Sequence, residues 1–423
     1  NWRYAFAGKK EVENDYEAEA VNVLQNKKIL HAPIEIAFNM ERITRYLRNK
    51  GIYTRNVNYY DFWLKFNCDI NLHLNDKSEH EKQKIIDDFA RRSIEEYDIF
   101  HFHFGRSLYP DYRDLEILKE KGKKIIFSFW GSDKRSKEML IYNMACFMGY
   151  DPPRPYFLDR QLYQMHKIIN RYADAVLGPP LCLPRWIWLP GLIDPAKWAI
   201  QEKQRILQKK LYNKDPEKTY FLHAPSSNLK KGSFIIIKML EKFREEGLPI
   251  EILCVRNTQH QKAKEIYAYA DYAIDQIGGG TFGLFGNEMM CWEIPVLVHQ
   301  APEFREMRGN PPVIEITKND FREQVERCVE MKKNGENKKL GRKGRQWVLA
   351  NTDISLSMPE YLRIYGRLAQ GKGIEHYFGK QWYEEEYKMQ QGVKSGFFEY
   401  MFENNVFKEI GVNVSEYDKQ LYK

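Results

Sequence analysis

Residues 275–296, DQIGGGTFGLFGNEMMCWEIPV, hold a glycine-rich turn between two regular elements. The apolar run before them predicts a strand. The glycines that give the turn its backbone freedom are Gly278, Gly279, Gly280 and Gly283. A helix is expected to begin near Leu284, where its unsatisfied N–H groups and positive dipole end favour an anion such as a diphosphate. The segment is therefore interpreted as a nucleotide-binding turn, with Glu288 one helical turn further on and placed to bind a sugar hydroxyl.

Length and composition predict a globular protein of two domains. A chain of 423 residues is too long for one ordinary hydrophobic core. Its hydrophobic share of 43% and charged share of 29% are typical of soluble globular domains and argue against long disordered regions. The net charge of +8 favours anionic partners without choosing among them. The lysines are spread over several helices and form no single basic stripe, so nucleic acid is not an expected partner.

Cysteine usage and hydropathy favour a cytoplasmic location. The six cysteines show no CxxC spacing, which predicts reduced thiols. Residues 1–27 form an acidic tail without the apolar region of a secretory signal. The most apolar long stretch, residues 178–193, carries four prolines and Arg185, which argues against an ordinary membrane span. A peripheral contact with the inner face of a membrane stays open.

The order of elements predicts the α/β class. From residue 28, strand-like and helix-like segments alternate, and a second run of the same kind begins at residue 219. We expect two Rossmann-like β/α/β domains, residues 1–195 and 196–370, with the hinge near 190–218. Residues 371–423 form a C-terminal extension, which either packs back on the N-terminal domain or forms an interaction surface.

Several motifs, taken in order, resemble the GT-B fold glycosyltransferases, in particular the retaining glycosyltransferase family 4, also called glycosyl transferases group 1. Residues 223–233, HAPSSNLKKGS, are similar to the element H-x-P-x-x-R-x-x-K-G-T of that family. Residues 31–51, 98–108 and 127–135 resemble its opening loop, its HxHxG strand end and its GSDxR segment. The signature E-x-F-G-L-x(3)-E-A-M-x(2)-G-x-P-V is matched at Phe282, Gly283, Leu284, Glu288, Met290, Pro295 and Val296.

The resemblance implies two Rossmann-like domains that face a central cleft, with the acceptor in the first and the donor in the second. It implies an enzyme of the hexosyltransferase type, which moves a sugar from a nucleotide-diphosphate donor, a UDP-sugar, to a saccharide, lipid-linked or protein acceptor. Transfer is expected to retain the configuration and to need neither a metal nor another cofactor. The nucleotide-sugar would be a substrate.

The resemblance also assigns donor-site residues. Lys231 is the expected catalytic cation at the departing phosphate, and Glu288 the acceptor for a ribose hydroxyl; an exposed lysine and a glutamate that complements the helix dipole are the structural alternatives. Further nucleotide-sugar contacts are assigned to Phe282, Gly283, Leu284, Gly280 and Asn228. Two of these depart from the family pattern, since Gly280 stands where the first signature glutamate is expected and Asn228 where an arginine is expected. The departures put donor choice and stereochemistry in doubt.

Acceptor-side residues are expected in the first domain. His101 and His103 are expected to point to opposite faces of a strand, with His103 in a catalytic position and a buried core histidine as the alternative. Arg106 is a candidate for an anionic group. Asp133, in a turn with Arg135, is a candidate lining residue. Ala37 and Phe38 replace a glycine pair of the family, which predicts a bulkier acceptor loop.

Other functions fit part of the pattern. Gly278, Gly280 and Gly283 also satisfy the G-x-G-x-x-G dinucleotide fingerprint, but His299 and Gln300 stand where that fingerprint expects an acidic residue. A catalytically degenerate GT-B protein, acting as a nucleotide- or partner-binding subunit of a glycosylation complex, is the main alternative. A phosphorylase-like or epimerase-like GT-B enzyme is a further one.

Overall fold

A computed structural model describes residues 13–62, 66–134, 136–153, 160–178, 187–188, 193–374 and 396–412. The chain divides into two compact units, and it passes from one to the other after residues 135, 157, 192, 352 and 389. The predicted boundaries at residues 195 and 370 did not anticipate all of these crossings.

Each unit is built on a parallel sheet. The strands of the first unit run in the order β3-β2-β1-β4-β5-β6-β7, and those of the second in the order β12-β11-β10-β8-β9. The first set is β1 Ile29–Ala32, β2 Thr54–Asn58, β3 Ile70–Asn71, β4 Ile99–His103, β5 Lys124–Ser128, β6 Ala175–Gly178 and β7 Ile187–Trp188. The second set is β8 Thr219–His223, β9 Ile250–Cys254, β10 Tyr272–Ile274, β11 Val296–Val298 and β12 Ile314–Glu315.

Helices connect the strands and follow the last of them. Those before β8 are α1 Glu13–Leu24, α2 Asn39–Asn49, α3 Glu79–Glu96, α4 Arg113–Glu120, α5 Lys137–Phe147, α6 Arg160–Tyr172 and α7 Ile200–Gln208. Those after β8 are α8 Asn228–Lys231, α9 Ser233–Glu245, α10 His260–Tyr267, α11 Leu284–Cys291, α12 Pro302–Met307, α13 Phe321–Lys333, α14 Glu336–Asn351, α15 Ile354–Ala369, α16 Phe397–Glu403 and α17 Val406–Glu409. The strand–helix alternation predicted from the sequence is present in both units.

Helix α15 belongs to the first unit, although it falls within the predicted donor domain. Tyr361 and Tyr365 on this helix are fully buried in the core formed by β1, β4 and β5. Gly366 lets α15 approach α1 closely, because a Cβ added there would lie 2.8 Å from the Cβ of Ala20. The burial of these two tyrosine side chains stabilises the packing of α15 in that core.

The second unit takes in two segments from elsewhere in the chain. Side chains of α5, including Met144 and Phe147, lie in the same core as Phe221 and Tyr272 of the sheet. Phe397 of α16 and Phe407 of α17 are buried in that core as well. Residues 396–412 of the C-terminal extension therefore pack in the second unit, and the alternative of packing back on the first is wrong for them. Residues 371–374 belong to the first unit, where Ile374 packs against the core. Residues 375–395 and 413–423 lie outside the described residues.

Two further expectations concern thiols and membrane spans. Cys68, Cys146, Cys254, Cys291 and Cys328 are free thiols, and Cys182 lies outside the described residues. Within the described ranges, every helix is too short or too polar to cross a membrane. Most of the apolar stretch at residues 178–193 is also outside those ranges.

Candidate functional site

The glycine-rich turn joins β10 to α11 in the second unit. Helix α11 begins at Leu284, which confirms the predicted start. Gly280 has a φ of +69°, and a Cβ added there would lie 2.8 Å from Cε2 of Phe304. A glutamate at this position would meet both strain and a clash. The backbone conformation and the packing of this turn therefore exclude a glutamate at the position where the family signature expects one.

A buried aspartate takes part of the space at the start of α11. The Asp275 side chain has no exposed surface, and its carboxylate accepts hydrogen bonds from the N–H groups of Gly283 and Gly286. The sequence predicted that these N–H groups face a ligand. Within the described part of the chain, the N–H groups of Leu284 and Phe285 make no hydrogen bond. Two amide donors therefore stay available at the helix start.

Lys231 reaches the same turn from the end of α8. Its ammonium group forms an ion pair with Asp275, and its side chain is 13% exposed. The next residue, Gly232, has a φ of +70°, and a Cβ added there would lie 2.2 Å from Cγ1 of Ile277. Only glycine fits this approach, and it directs the chain into α9. The predicted cation and the predicted helix start are thus brought together.

Arg308 is a second cation beside Asp275, and the sequence did not predict it. Its guanidinium lies over the ring of Phe282, 4.3 Å from the ring centroid. Burial lowers the pKa of Arg308 to about 10, although the charge of Asp275 acts in the opposite direction. Since α12 and a loop separate Arg308 from the signature, no short-range spacing connects it to the turn.

The remaining predicted donor residues have different environments. Glu288 is buried on α11 with 7% exposure, and its negative charge adds to the effect of burial in raising the pKa of Tyr267. Phe282 is fully buried and packs edge-on against Trp347, so it serves the core. Asn228 is exposed at the start of α8, and Leu284 is half-buried. That these residues contact a nucleotide-sugar stays a prediction.

Three histidines meet in the core of the first unit. His31 on β1 lies directly opposite His101 on β4, and all three side chains, including His103, are fully buried. The rings of His101 and His103 stack with their centroids 4.3 Å apart. The expectation that these two point to opposite faces is wrong, because residues two apart in a strand share a face.

The three imidazoles belong to one directed chain of hydrogen bonds. Trp130 Nε1 donates to His103 Nδ1 at 3.2 Å, so His103 carries its proton on Nε2, which lies 3.1 Å from His31 Nδ1. His31 Nε2 then donates to the Tyr365 hydroxyl, at the long distance of 3.4 Å. Tyr365 donates to His101 Nδ1, and His101 Nε2 donates to the Ser128 hydroxyl at 2.7 Å. These directions assign the Nε2–H tautomer to every ring.

Burial keeps these rings neutral. It lowers the pKa of His31 to about 3 and the pKa values of His101 and His103 well below the ordinary value. The positive charge of Arg48 adds to the effect at His31. Both nitrogens of His103 are engaged, so in this arrangement the ring has no free nitrogen for a substrate.

Among the residues that the structure describes, the same three histidines form the group that could hold a metal ion. Their ligand atoms lie within 4.8 Å of one another, and neutral imidazole is a good zinc ligand. A metal would have to replace the hydrogen bonds that already join these rings to one another and to their neighbours. The donor set therefore fits a metal by residue type.

The loop after β1 has an uncommon backbone. Ala37 and Phe38 have φ values of 54° and 62°, the left-handed region that favours glycine. These are the two positions at which the family resemblance expects a glycine pair. The buried carboxylate of Glu35 accepts from the N–H groups of Met40 at 3.1 Å and Glu41 at 2.9 Å, and so caps the start of α2. Burial raises the pKa of Glu35 to about 7, against the effect of these hydrogen bonds.

Arg106 and Asp133 are placed differently from each other. Arg106 is exposed after a turn in which Phe104 and Gly105 both have a φ of 60°. Asp133 is buried, and its carboxylate accepts from the backbone N–H groups of Trp130 and Gly131. Burial raises the pKa of this carboxyl. Asp133 thus closes its own turn, and Arg135, its predicted neighbour, lies outside the described residues.

Comparisons with known proteins place the fold. No protein-family model and no curated protein matches the chain. Solved structures do match. A glycosyltransferase from Rickettsia africae has a TM-score of 0.55 at 13% identity, over 82% of this chain and 99% of the other. Sucrose-phosphate synthase from Thermosynechococcus elongatus has a TM-score of 0.55 at 11% identity, over 82% of this chain and 100% of the other.

The Anabaena protein HepE, in a complex with UDP-glucose, has a TM-score of 0.52 at 10% identity, over 82% of this chain and 100% of the other. Sequence identities this low establish the fold only, so the chemistry has to be argued from the residues of this chain. The predicted α/β class with two Rossmann-like domains is confirmed, and the chain has the GT-B fold of these glycosyltransferase structures.

Proposed function

We propose that this protein is a glycosyltransferase that moves a sugar from a UDP-sugar to a saccharide, lipid-linked or protein acceptor. The observation that carries the proposal is the set of donors at the start of α11. Lys231 and Arg308 bring two cations to the turn, and the N–H groups of Leu284 and Phe285 add two more donors. The GT-B fold supports the same function, and UDP is chosen because HepE, of the same fold, holds UDP-glucose.

The proposed reaction breaks the bond between the anomeric carbon and the diphosphate oxygen, and the electron pair leaves with the phosphate. Cations and amide dipoles directed at that oxygen stabilise its growing negative charge. In the proposal, Lys231 and Arg308 are the cations that stabilise this negative charge, and Glu288 accepts a hydrogen bond from the ribose. The acceptor hydroxyl bonds to the same anomeric carbon, and its proton passes to the departing phosphate oxygen. We further propose transfer with retention and without a metal.

A binding protein without catalysis is the second candidate, and one observation favours it. Asp275 already neutralises Lys231 and takes two N–H groups at the start of α11. A diphosphate would have to share these groups with a buried carboxylate. In this alternative the protein binds a nucleotide or a partner and transfers no sugar.

Calorimetric titration with UDP, GDP, ADP and NADH separates these functions, combined with release of UDP from UDP-glucose. We expect UDP to bind, Glu288→Ala to weaken that binding, and Lys231→Ala to lower turnover more than donor affinity. Lys230→Ala is the matched control, since Lys230 precedes Lys231 and is exposed. UDP binding without turnover would favour the subunit, binding of NADH alone would overturn the proposal, and unchanged values would remove the tested residue from the site.

A further inference from the structure

Three phenylalanines form an aromatic shelf in the loops after β1 and β2 of the first unit. The shelf consists of Phe38, Phe62 and Phe66. The rings of Phe62 and Phe66 are parallel within 2°, with centroids 5.4 Å apart, and Phe38 meets Phe66 edge-on at 5.0 Å. Phe62 is 46% exposed. A ring this exposed is fixed by its neighbours and still presents apolar surface to solvent.

Hydrogen bonds hold the two loops together beneath the shelf. The N–H of Tyr59 donates to the carbonyl of Pro33 at 2.9 Å, and the N–H of Glu35 donates to Asn58 Oδ1 at 3.1 Å. The Asn58 amide also donates to the carbonyl of Tyr60 at 2.6 Å. The shelf is therefore preorganised, which reduces the entropy that a ligand loses on binding.

One part of the shelf borders a ligand-binding position of the sheet. Both loops leave the carboxyl ends of their strands, and the strand order changes direction between β1 and β4, so the loop after β1 borders this reversal and the loop after β2 lies one strand away. In open α/β sheets, ligands bind outside the carboxyl ends at such a reversal. The loop that carries Phe38 follows β1 directly.

Polar groups gather at Asp61, the residue that precedes Phe62 in the chain. The carboxylate of Asp61, next to Phe62, accepts from His73 Nδ1 at 2.9 Å and from Asn71 Nδ2 at 2.7 Å. The bond to His73 lowers the pKa of Asp61, so the carboxylate is charged near neutral pH. Asp61 and His73 are exposed, and Asn71 is half-buried. A hydrocarbon chain on Phe62 would bring no hydrogen bond to this charged edge.

We propose that the aromatic shelf binds a sugar ring of a saccharide acceptor. A pyranose has an apolar C–H face that covers an aromatic ring, and hydroxyls at its edge that reach a carboxylate, an imidazole or an amide. Phe62 supplies the face, and Asp61, with Asn71 and His73, supplies the edge. The inference rests on the proposed function, because it chooses the saccharide among the acceptor classes of that function.

The test is saturation-transfer NMR with maltohexaose, cellohexaose, chitohexaose and mannohexaose at millimolar concentrations, on the whole chain. We expect at least one to bind, and Phe62→Ala to weaken it about tenfold while UDP affinity stays unchanged. Phe62→Trp should restore binding, since it keeps an aromatic face. Phe234→Ala is the matched control, because Phe234 is 57% exposed on α9 of the other unit.

Each outcome bears on one proposal only. Saccharide binding that is lost in Phe62→Ala and kept in Phe62→Trp supports the shelf. Binding that Phe62→Ala leaves unchanged overturns it, as does the absence of binding by every hexasaccharide. Phe62-dependent binding to phosphatidylglycerol vesicles in place of saccharides also overturns it, in favour of a lipid surface. If the wild-type protein does not bind UDP, that result counts against the proposed function, and the saccharide-binding results can still be interpreted.

Discussion

Lys231 pairs with the carboxylate of Asp275 at the start of α11, so the strongest candidate cation of the donor site already has an anionic partner. The same carboxylate holds the N–H groups of Gly283 and Gly286. A single aspartate thus neutralises the positive charge of Lys231 and binds two of the backbone N–H groups that a diphosphate would use. In the proposed donor site, Asp275 would therefore compete with the phosphate for these groups.

Asp275→Asn should tighten UDP binding and lower stability. Removing the buried negative charge takes away its repulsion of a diphosphate and releases Lys231, so we expect UDP affinity to rise about tenfold. Lys231 and the helix start lose a charged partner, and the free energy of unfolding should fall by about 2 kcal/mol. Calorimetry and urea unfolding measure the two effects. Weaker UDP binding would mean that Asp275 positions Lys231 for the phosphate and does not compete with it.

Ala37→Gly should stabilise the first unit. Ala37 has a φ of 54°, where an L-residue with a Cβ is disfavoured by roughly 1 to 2 kcal/mol. Glycine removes that strain and loses about 0.4 to 1 kcal/mol through its freer unfolded chain. The net gain should be about 0.5 to 1 kcal/mol in urea unfolding. Ala263→Gly, at a buried position inside α10, is the control and should destabilise by about 1 to 2 kcal/mol, because helix propensity and the buried methyl are both lost. Equal losses in both variants would contradict the predicted relief of strain.

Tyr365→Phe should break the histidine chain at its centre. It leaves His101 Nδ1 and His31 Nε2 without the hydroxyl that joins them in the core. A buried polar group without a partner costs about 1 to 3 kcal/mol, which urea unfolding would show. Tyr46→Phe is the control, because that hydroxyl bonds to Glu17 at a half-buried site and should cost less.

Nitrogen NMR tests the same chain directly. In the wild-type protein, His31, His101 and His103 should each show the Nε2–H tautomer. In Tyr365→Phe, the signals of His31 and His101 should shift more than those of His103, which keeps its partners. An Nδ1–H tautomer at His103 in the wild type would contradict the direction of the chain.

Glu35 should make stability depend on pH. Burial raises its pKa from 4.5 to about 7, so the folded protein keeps a proton that the unfolded chain releases. The free energy of unfolding should therefore fall as the pH rises from 4.5 to 7, by at most about 3 kcal/mol from this group. Glu35→Gln lacks the titration, and other groups cancel in the difference between the two proteins. A difference that does not change over this range would refute the shift.

Buried histidines should have the opposite effect at lower pH. The pKa of His31 is lowered to about 3, so the unfolded chain takes up a proton below 6.5 that the folded protein refuses. This part of the stability is lost as the pH falls from 6.5. The comparison with Glu35→Gln is needed for that reason, because the two effects overlap between 4.5 and 6.5.

Local sequence patterns were sufficient to predict the helices and strands of this chain, but they did not predict the boundaries of its two units. Residues 275–296 predicted the strand, the glycine turn and the helix start at Leu284, because each depends on near neighbours in sequence. The predicted boundaries missed that α15 joins the first unit and α5 the second. Those helices are committed by buried side chains such as Tyr365 and Phe147, whose partners lie far away in the chain.

The sequence by itself determined the α/β class and the glycine turn before α11, since hydrophobic period, glycine freedom and helix dipoles act over a few residues. Only the tertiary structure decided what those groups contact. Lys231 and Asp275 are 44 residues apart, His31 and His103 are 72 apart, and His101 and Tyr365 are 264 apart. Parallel strands bring such residues together through crossover connections, and spacing in the sequence does not encode which side chains then meet.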